Sequence, residues 1–152
     1  MEEWQARGGP GYDPTSGLGW DAFLDKYLVG FNSEGIPEWR WPDQYPHGFD
    51  SAGGSRNTLM QGDTINRLAP PNSKKGSFAA PPGTSFPEMG LPPDRLNPSW
   101  NTTEYVVVQK LPPEVLEGVT ESAFGQSGGG VQYFFPKGIQ WYVDNHYLDV
   151  LP

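Results

Sequence analysis

The side chains most able to do chemistry lie close together near the C-terminus, in residues 124–135 (FGQSGGGVQYFF). Three consecutive glycines, residues 128–130, allow positive φ angles and let another group approach the backbone closely. Gln126 and Gln132 supply a carboxamide on each side of these glycines, and a carboxamide both donates and accepts hydrogen bonds. Two interpretations stay open, a binding loop or the simple turn that often precedes a strand. The spacing differs from GxGxxG and GxxxxGKS/T, so the loop alone does not predict a phosphate cradle.

The aromatic run after the glycines predicts a strand. Residues 131–135 are rich in β-branched and aromatic side chains. Because side chains alternate along a strand, Gln132 and Phe134 should share one face, opposite Val131, Tyr133 and Phe135. This pattern places one carboxamide just beyond the glycine loop.

A second set of chemically useful side chains is cationic. The formal net charge of the chain is −8, yet residues 51–87 carry a local excess of positive charge. The basic residues there are Arg56, Arg67, Lys74 and Lys75, and the acidic residue is Asp63. A guanidinium such as that of Arg67 can hold a diphosphate through two parallel hydrogen bonds. The segment suits a small anionic ligand, or it is an ordinary solvated surface with Lys74 and Lys75 on a loop. For Arg67 itself the alternative is a surface arginine on a strand edge.

Several classes of site and partner are disfavoured by composition. The chain has no cysteine, and its two histidines, His47 and His146, lie far apart, so we predict no metal site. The net charge disfavours nucleic-acid and anionic-membrane binding. No apolar run approaches the roughly 20 residues of a membrane span, and no signal-peptide pattern begins the chain.

The run from Phe124 to Tyr133, FGQxGGGxQY, resembles the signature of the tuberculosis necrotizing toxin family. Its members are NAD glycohydrolases, found as toxin domains of bacterial effectors and as fungal NADases. Shorter matches extend the resemblance over roughly residues 39–150. They are Trp41-Pro42, Gly48-Phe49, Asn66-Arg67-Leu68-Ala69, Gly76 with Phe78, and Leu91-Pro92-Pro93.

The resemblance implies an enzyme that hydrolyses NAD, or also NADP, to ADP-ribose and nicotinamide, with NAD as substrate and no cofactor. By resemblance, Gln132 and Arg67 are the catalytic candidates, with Gln126 second to Gln132. The remaining candidates would contact the substrate: Phe78 by stacking on a base or on nicotinamide, Lys75, Gln126, and the backbone of Gly128, Gly129 and Gly130. The resemblance also implies a dedicated immunity protein as partner, and a toxin secreted or delivered into a target cell as part of a larger effector, where it depletes NAD.

Three positions depart from the family pattern. Lys75 stands where the family has a tyrosine, and Glu104 or Tyr105 where some members have a functional histidine. A second phosphate-binding arginine is missing, or is replaced by Lys75 or Arg95. These departures put any histidine-dependent step in doubt.

The proposed bond cleavage makes modest demands on side chains. The scissile bond joins ribose C1′ to a positively charged nicotinamide nitrogen, so the leaving group departs neutral and needs no general acid. This agrees with a sequence that shows no convincing carboxylate pair of the glycosidase kind. The enzyme must hold the diphosphate and the ribose, favour an oxocarbenium-like transition state and admit water.

Three other functions stay open. The departures are compatible with a catalytically inactive relative that binds a nucleotide or a protein. ADP-ribosyl transfer would need a carboxylate, for which Glu104 and Glu121 are the nearest candidates. Trp39, Trp41 and Trp100 could instead form a carbohydrate-binding platform, although we expect the aromatic residues of segment 31–49 to be a buried plug.

The helices and strands that the sequence predicts around these residues indicate an α+β fold. Apolar spacing predicts an amphipathic helix over residues 20–29 that stops at Gly30, and a C-terminal helix within residues 137–148. Strands are predicted at 64–68, 104–109 and 131–135. We expect a small, mostly antiparallel sheet with long Pro/Gly-rich loops, residues 70–87 among them. Residues 1–18 are predicted to be a linker or docked arm, and residues 19–152 a single NAD glycohydrolase-like toxin domain.

Overall fold

The computed structural model describes Gly8 and residues 12–40, 49–50, 52–69, 76–91, 95 and 101–151. Within these residues it contains small antiparallel sheets, an N-terminal helix and a C-terminal helix, so the predicted α+β class is confirmed. None of the helices in the described ranges is long and apolar enough to cross a membrane. Some sequence-based expectations concern residues outside these ranges, which are Trp41, Pro42, His47, Gly48, Lys74, Lys75, Pro92, Pro93 and Trp100.

The described elements are short and alternate with loops. Two are α-helices, α1 (Trp20–Tyr27) and α2 (Ile139–Asp144), and one is a 3-10 helix, Pro87–Met89. The strands are β1 (Leu28–Phe31), β2 (Pro37–Trp39), β3 (Ser55–Arg56), β4 (Thr64–Ala69), β5 (Phe78–Ala79), β6 (Asn101–Val107), β7 (Leu116–Val119), β8 (Val131–Phe134) and β9 (Leu148–Val150). The three predicted strands are present as β4, β6 and β8. The two-residue strand β5 interrupts the stretch predicted to be one long loop.

Seven of these strands form two antiparallel sheets that meet edge to edge. One sheet has the order β3-β7-β8-β5 and the other β4-β6-β9. Asn66 on β4 and Ala80, just after β5, exchange backbone hydrogen bonds of 2.7 and 2.9 Å. The seven strands therefore continue across this bridge in the order β3-β7-β8-β5-β4-β6-β9.

The main core lies against one face of these strands, here called the inner face. Its residues on β4, β5, β6 and β9 alternate with more exposed neighbours, as the burial of Ile65, Val107 and Leu148 shows. Helix α2 adds Ile139 and Tyr142 to the same core. The opposite face of the strands, here called the outer face, carries Gln132.

The C-terminal helix is shorter than the apolar spacing predicts. It ends at Asp144, where the side chain of Asn145 donates to the Trp141 carbonyl at 2.8 Å. His146 then adopts a positive φ of 65°, which a right-handed helix does not accommodate. Leu148 consequently belongs to β9, which pairs with β6.

The N-terminal helix also ends earlier than predicted, and the prediction that Gly30 stops it is wrong. Leu28 is already extended, with ψ of 122°, and Gly30 lies in β1 opposite Glu38 on β2. This hairpin occupies part of the segment that was predicted to be irregular. Phe23, Trp39 and Phe124 form a second buried cluster between α1, the hairpin and the signature segment. Trp39 is therefore packing material, as expected, and is unavailable as a carbohydrate platform.

The segment from residue 12 onward is docked rather than free. Tyr12 is 1% exposed and its ring meets Phe86 edge to face at 5.3 Å. The Ser16 hydroxyl donates to the Gly125 carbonyl at 2.8 Å. This arm therefore rests on the beginning of the glycine-rich segment.

Candidate active site

The register of β8 places Gln132 on the outer face of the sheet. Tyr133 pairs with Ala79 and Glu117, and both Ala79 and Phe135 belong to the main core. Strand alternation therefore directs Gln132 and Phe134 away from that core. Gln132 is half-buried and has a contact within the protein.

An aromatic pair lies beside Gln132 on the same face. Phe78 on β5 is directly opposite Phe134 on β8, and their rings are 5.3 Å apart at an interplanar angle of 37°. Phe78 is 45% exposed, so much of its ring is accessible to a ligand. A flat apolar surface is thus available within two residues of the Gln132 carboxamide.

The two sides of Gln132 differ. On β7 its partner is Gly118, and the Phe49 ring lies so close that a Cβ on Gly118 would be 2.7 Å from it. On the other side, extending the β5–β8 ladder by one residue sets Gln132 beside Ala80, whose bridge partner is Asn66. The small Ala80 therefore separates the two carboxamides.

Asn66 has an unsatisfied polar atom. Its Oδ1 is buried and has no hydrogen-bond partner among the described residues, an arrangement that costs about 1–3 kcal/mol. Glu104, on β6, lies directly opposite Asn66 and is exposed, whereas the adjacent Tyr105 is buried in the core. Glu104 therefore faces outward and Tyr105 inward.

Arg67 is not on this face. It alternates with Asn66 along β4 and, at 9% exposed, shares the inner face with Ile65. Its guanidinium lies against Gly76, where a Cβ would be 2.6 Å from Nε. The Gly76 carbonyl in turn accepts from the Ile139 amide at 2.9 Å, at the start of α2. The structure thus brings Arg67 to the backbone two residues before Phe78, but on the other side of the sheet from Gln132.

The glycine loop is occupied by internal contacts. The amides of Gly128, Gly129 and Gly130 donate to the carbonyls of Pro87, Thr120 and Glu88 at 3.0, 2.9 and 3.3 Å. Of the three glycines, Gly129 is the exposed one. In this arrangement the loop packs the 3-10 helix against the end of β7, and its amides do not converge on a common point.

Gln126 has a structural partner of its own. It is 8% exposed, and its Nε2 donates to the Asp13 carbonyl at 2.8 Å. This bond ties the docked arm to the signature segment. The structure therefore does not bring Gln126 together with Gln132, while the substrate-contacting candidate Lys75 lies outside the described residues.

Tyr133, the last residue of the signature pattern, faces the core. Burial raises the pKa of its phenol, and the nearby carboxylates of Glu117 and Asp63 raise it further. Glu117 accepts hydrogen bonds from both the amide and the hydroxyl of Thr58. Tyr133 is thus a neutral core residue behind Gln132, and it fixes which way that strand faces.

The sequence did not single out Phe134, Asn66 or Arg56 as site residues. Phe134 follows Gln132 by two residues on β8, whereas Asn66 and Arg56 enter its neighbourhood through strand pairing between segments that are distant in sequence. Such pairing leaves no local signal, because it depends on register rather than on residue type.

Comparison with known proteins agrees with the signature. A family model described as tuberculosis necrotizing toxin matches residues 58–151. The structure resembles that of tuberculosis necrotizing toxin complexed with its immunity factor IFT, with a TM-score of 0.57 and 17% sequence identity. This similarity covers 85% of the present chain and 69% of that one.

A second solved structure with a similar fold is that of Tse6 in complex with Tsi6. Its TM-score is 0.50 at 21% identity, covering 69% of the present chain and 77% of that chain. At these identities the two structural similarities establish a shared fold. No match was found among curated proteins.

Proposed function

This chain belongs to the tuberculosis necrotizing toxin family, and from that premise we propose that it is an NAD glycohydrolase toxin domain. It would split NAD into ADP-ribose and nicotinamide. The observation that carries the proposal is the position of Gln132. This signature glutamine lies on the outer face beside the exposed Phe78 and the half-buried Phe134 rather than in the core.

The chemistry needs few groups at that place. Water adds to ribose C1′ as the bond to the nicotinamide nitrogen breaks, the bond electrons neutralise the pyridinium, and the water's proton passes to solvent. Gln132 holds the reacting ribose or the attacking water through its carboxamide. Losing one preorganised hydrogen bond of this kind typically costs ~10²–10³ in rate.

The other proposed contacts come from different parts of the fold. Phe78 stacks on nicotinamide or on the adenine base, because its exposed ring offers a flat apolar face. By resemblance Arg67 is a candidate for the diphosphate, and its guanidinium lies at Gly76 on the inner face, across the sheet from Gln132. The backbone approach proposed for the glycines is most open at Gly129, where a Cβ would have no described atom within 4 Å.

The proposed biological setting follows from the relatives. Tuberculosis necrotizing toxin is complexed with its immunity factor, and Tse6 with Tsi6. We extend this to the present chain as a toxin that is secreted or delivered into a target cell and depletes NAD there. A cognate immunity protein would protect the producing cell.

The experiment is to measure nicotinamide and ADP-ribose release from NAD and from NADP, with and without Gln132→Ala. We expect turnover by the unchanged protein and a loss of ~10²–10³ in kcat for the variant. Gln61→Ala is the matched control, because Gln61 is an exposed glutamine in a turn. Gln132→Glu keeps the shape of the side chain and tests whether a carboxamide is required.

The alternatives have distinct outcomes in the same assay. ADP-ribose binding without nicotinamide release would indicate an inactive nucleotide-binding relative. Nicotinamide release with ADP-ribose attached to an added protein would indicate a transferase. Full turnover by Gln132→Ala would remove Gln132 from the site.

A further inference from the structure

Arg56 belongs to the same transverse row of side chains as the aromatic pair. On β3 it lies opposite Leu116, which lies opposite Phe134, which lies opposite Phe78. Residues directly opposite in antiparallel strands point to the same face. Arg56 therefore projects from the outer face, where Gln132 lies.

The distance between Arg56 and Phe134 leaves room for the extended Arg56 side chain and a small anion. Neighbouring strands are about 4.8 Å apart, so the Cα of Arg56 lies about 10 Å from that of Phe134, across Leu116. Beside this row, the Phe49 ring covers Gly54 and Gly118. An anion above Leu116 would thus have an apolar side chain beneath it, and a guanidinium and a carboxamide at its two ends.

The Arg56 side chain is also available to a ligand. It is exposed, and within the described part of the chain it makes no hydrogen bond or ion pair. Among the described strand residues on the outer face of the four-stranded sheet, no other side chain is positively charged. Arg67, in contrast, is buried on the inner face against Gly76. A chain of net charge −8 repels an anionic ligand, which makes a local cation on this face more consequential.

We propose that Arg56 is a phosphate-binding residue that contacts the diphosphate of the dinucleotide while Gln132 holds the ribose. This inference rests on the proposed function for its choice of ligand. Its position does not come from the family match, because Arg56 lies two residues before the matched segment.

The test is the affinity for ADP-ribose, measured by calorimetry at several salt concentrations. Arg56→Ala should weaken binding about tenfold at low salt and flatten its salt dependence, because a charge-assisted hydrogen bond is lost. Arg56→Lys should retain part of the affinity and the salt dependence. Arg40→Ala is the matched control, since Arg40 is an exposed arginine whose Nη1 donates to the Lys26 carbonyl outside this face.

In parallel, NAD turnover by Arg56→Ala should show a KM about tenfold higher with kcat nearly unchanged. If the unchanged protein hydrolyses NAD but Arg56→Ala behaves like Arg40→Ala in both assays, the inference about Arg56 is overturned. The hydrolase proposal is then unaffected. If the unchanged protein binds ADP-ribose without hydrolysing NAD, and Arg56→Ala weakens that binding, the hydrolase proposal is overturned and the role of Arg56 is supported. The absence of both turnover and binding would overturn both proposals.

Discussion

At the scale of single residues, the two signature glutamines have different surroundings. Gln132 lies on the outer face of β8, whereas Gln126 is buried and bonded to the Asp13 carbonyl. Two carboxamides six residues apart look equivalent in the sequence. Their environments differ because Gln132 is in a strand and Gln126 is in a turn, where the backbone N–H of Gln126 donates to the Ala123 carbonyl.

Gln126→Ala should therefore lower the free energy of unfolding. The variant leaves a backbone carbonyl without its donor and loses a bond that spans 113 residues, for which we expect about 1–2 kcal/mol. Urea denaturation followed by fluorescence measures this. Gln61→Ala, in an exposed turn, should change stability by less than about 0.5 kcal/mol. Equal stability of the two variants would contradict the tethering role.

The glycines of the loop differ in the same way. Gly128 and Gly129 both have positive φ, of 62° and 86°. A Cβ on Gly128 would be 2.7 Å from the carbonyl oxygens of Thr120 and Glu121, whereas one on Gly129 would meet no described atom within 4 Å. The first glycine is required by packing as well as by conformation, and the second by conformation alone.

Gly128→Ala should consequently cost more stability than Gly129→Ala. The left-handed conformation alone costs a non-glycine residue about 1–2 kcal/mol, and the backbone clash adds to this at Gly128. Thermal melts of the two variants provide the comparison. A larger loss for Gly129→Ala would mean that the loop is not packed in this way.

At the scale of elements, Phe124 joins the signature segment to the N-terminal unit formed by α1 and the β1–β2 hairpin. Its ring is 5.3 Å from that of Tyr27 and 6.0 Å from that of Trp39. It is 1% exposed, with a positive φ of 54°. The first residue of the signature segment, Phe124, therefore packs in a buried cluster, whereas Gln132 further along carries the proposed chemistry.

Phe124→Ala should loosen that unit while the main core persists. Removing a buried phenylalanine typically costs about 3–5 kcal/mol, and the cluster around Phe23 is separate from the core around Ile65. Hydrogen exchange should increase in residues 20–39 more than in β4 and β6. Phe78→Ala is the control for losing a phenylalanine, because its ring is exposed and stability should change little. Uniform acceleration across the chain would show that the two clusters unfold as one unit.

At the scale of the whole molecule, buried phenols make stability sensitive to alkaline pH. Burial first, and then the Glu114 carboxylate that accepts its hydrogen bond, raise the pKa of Tyr142 from 10.0 to about 12. Burial likewise raises the pKa of Tyr12 and of Tyr133. The unfolded chain releases these protons at lower pH than the folded protein does.

Stability should therefore be constant with respect to these groups below pH 10 and fall as the pH rises from there toward about 12. In that window the unfolded state binds fewer protons, so each pH increment favours it. Tyr142→Phe should reduce the steepness of this loss, as measured by urea unfolding at a series of alkaline pH values. An unchanged slope would place the Tyr142 hydroxyl in water rather than in the core.

The sequence by itself determined the fold class, the strands β4, β6 and β8, and the signature that led to the family. These are local properties, because apolar periodicity, β-branched runs and a glycine pattern are each contained in one segment. It also predicted that Gln132 and Phe134 share one face of β8, since strand alternation needs only the neighbouring residues; which face is outward came from the structure.

Only the tertiary structure decided which residues accompany Gln132. Asn66 and Arg56 approach it through antiparallel pairing, whose register is fixed by burial of the opposite face and not by the paired residues themselves. The same alternation turns Arg67 inward beside Ile65, and the fold commits the loop amides to internal carbonyls. Residue type indicates what a side chain can do, but the sheet face on which it lies decides which other groups it can act with.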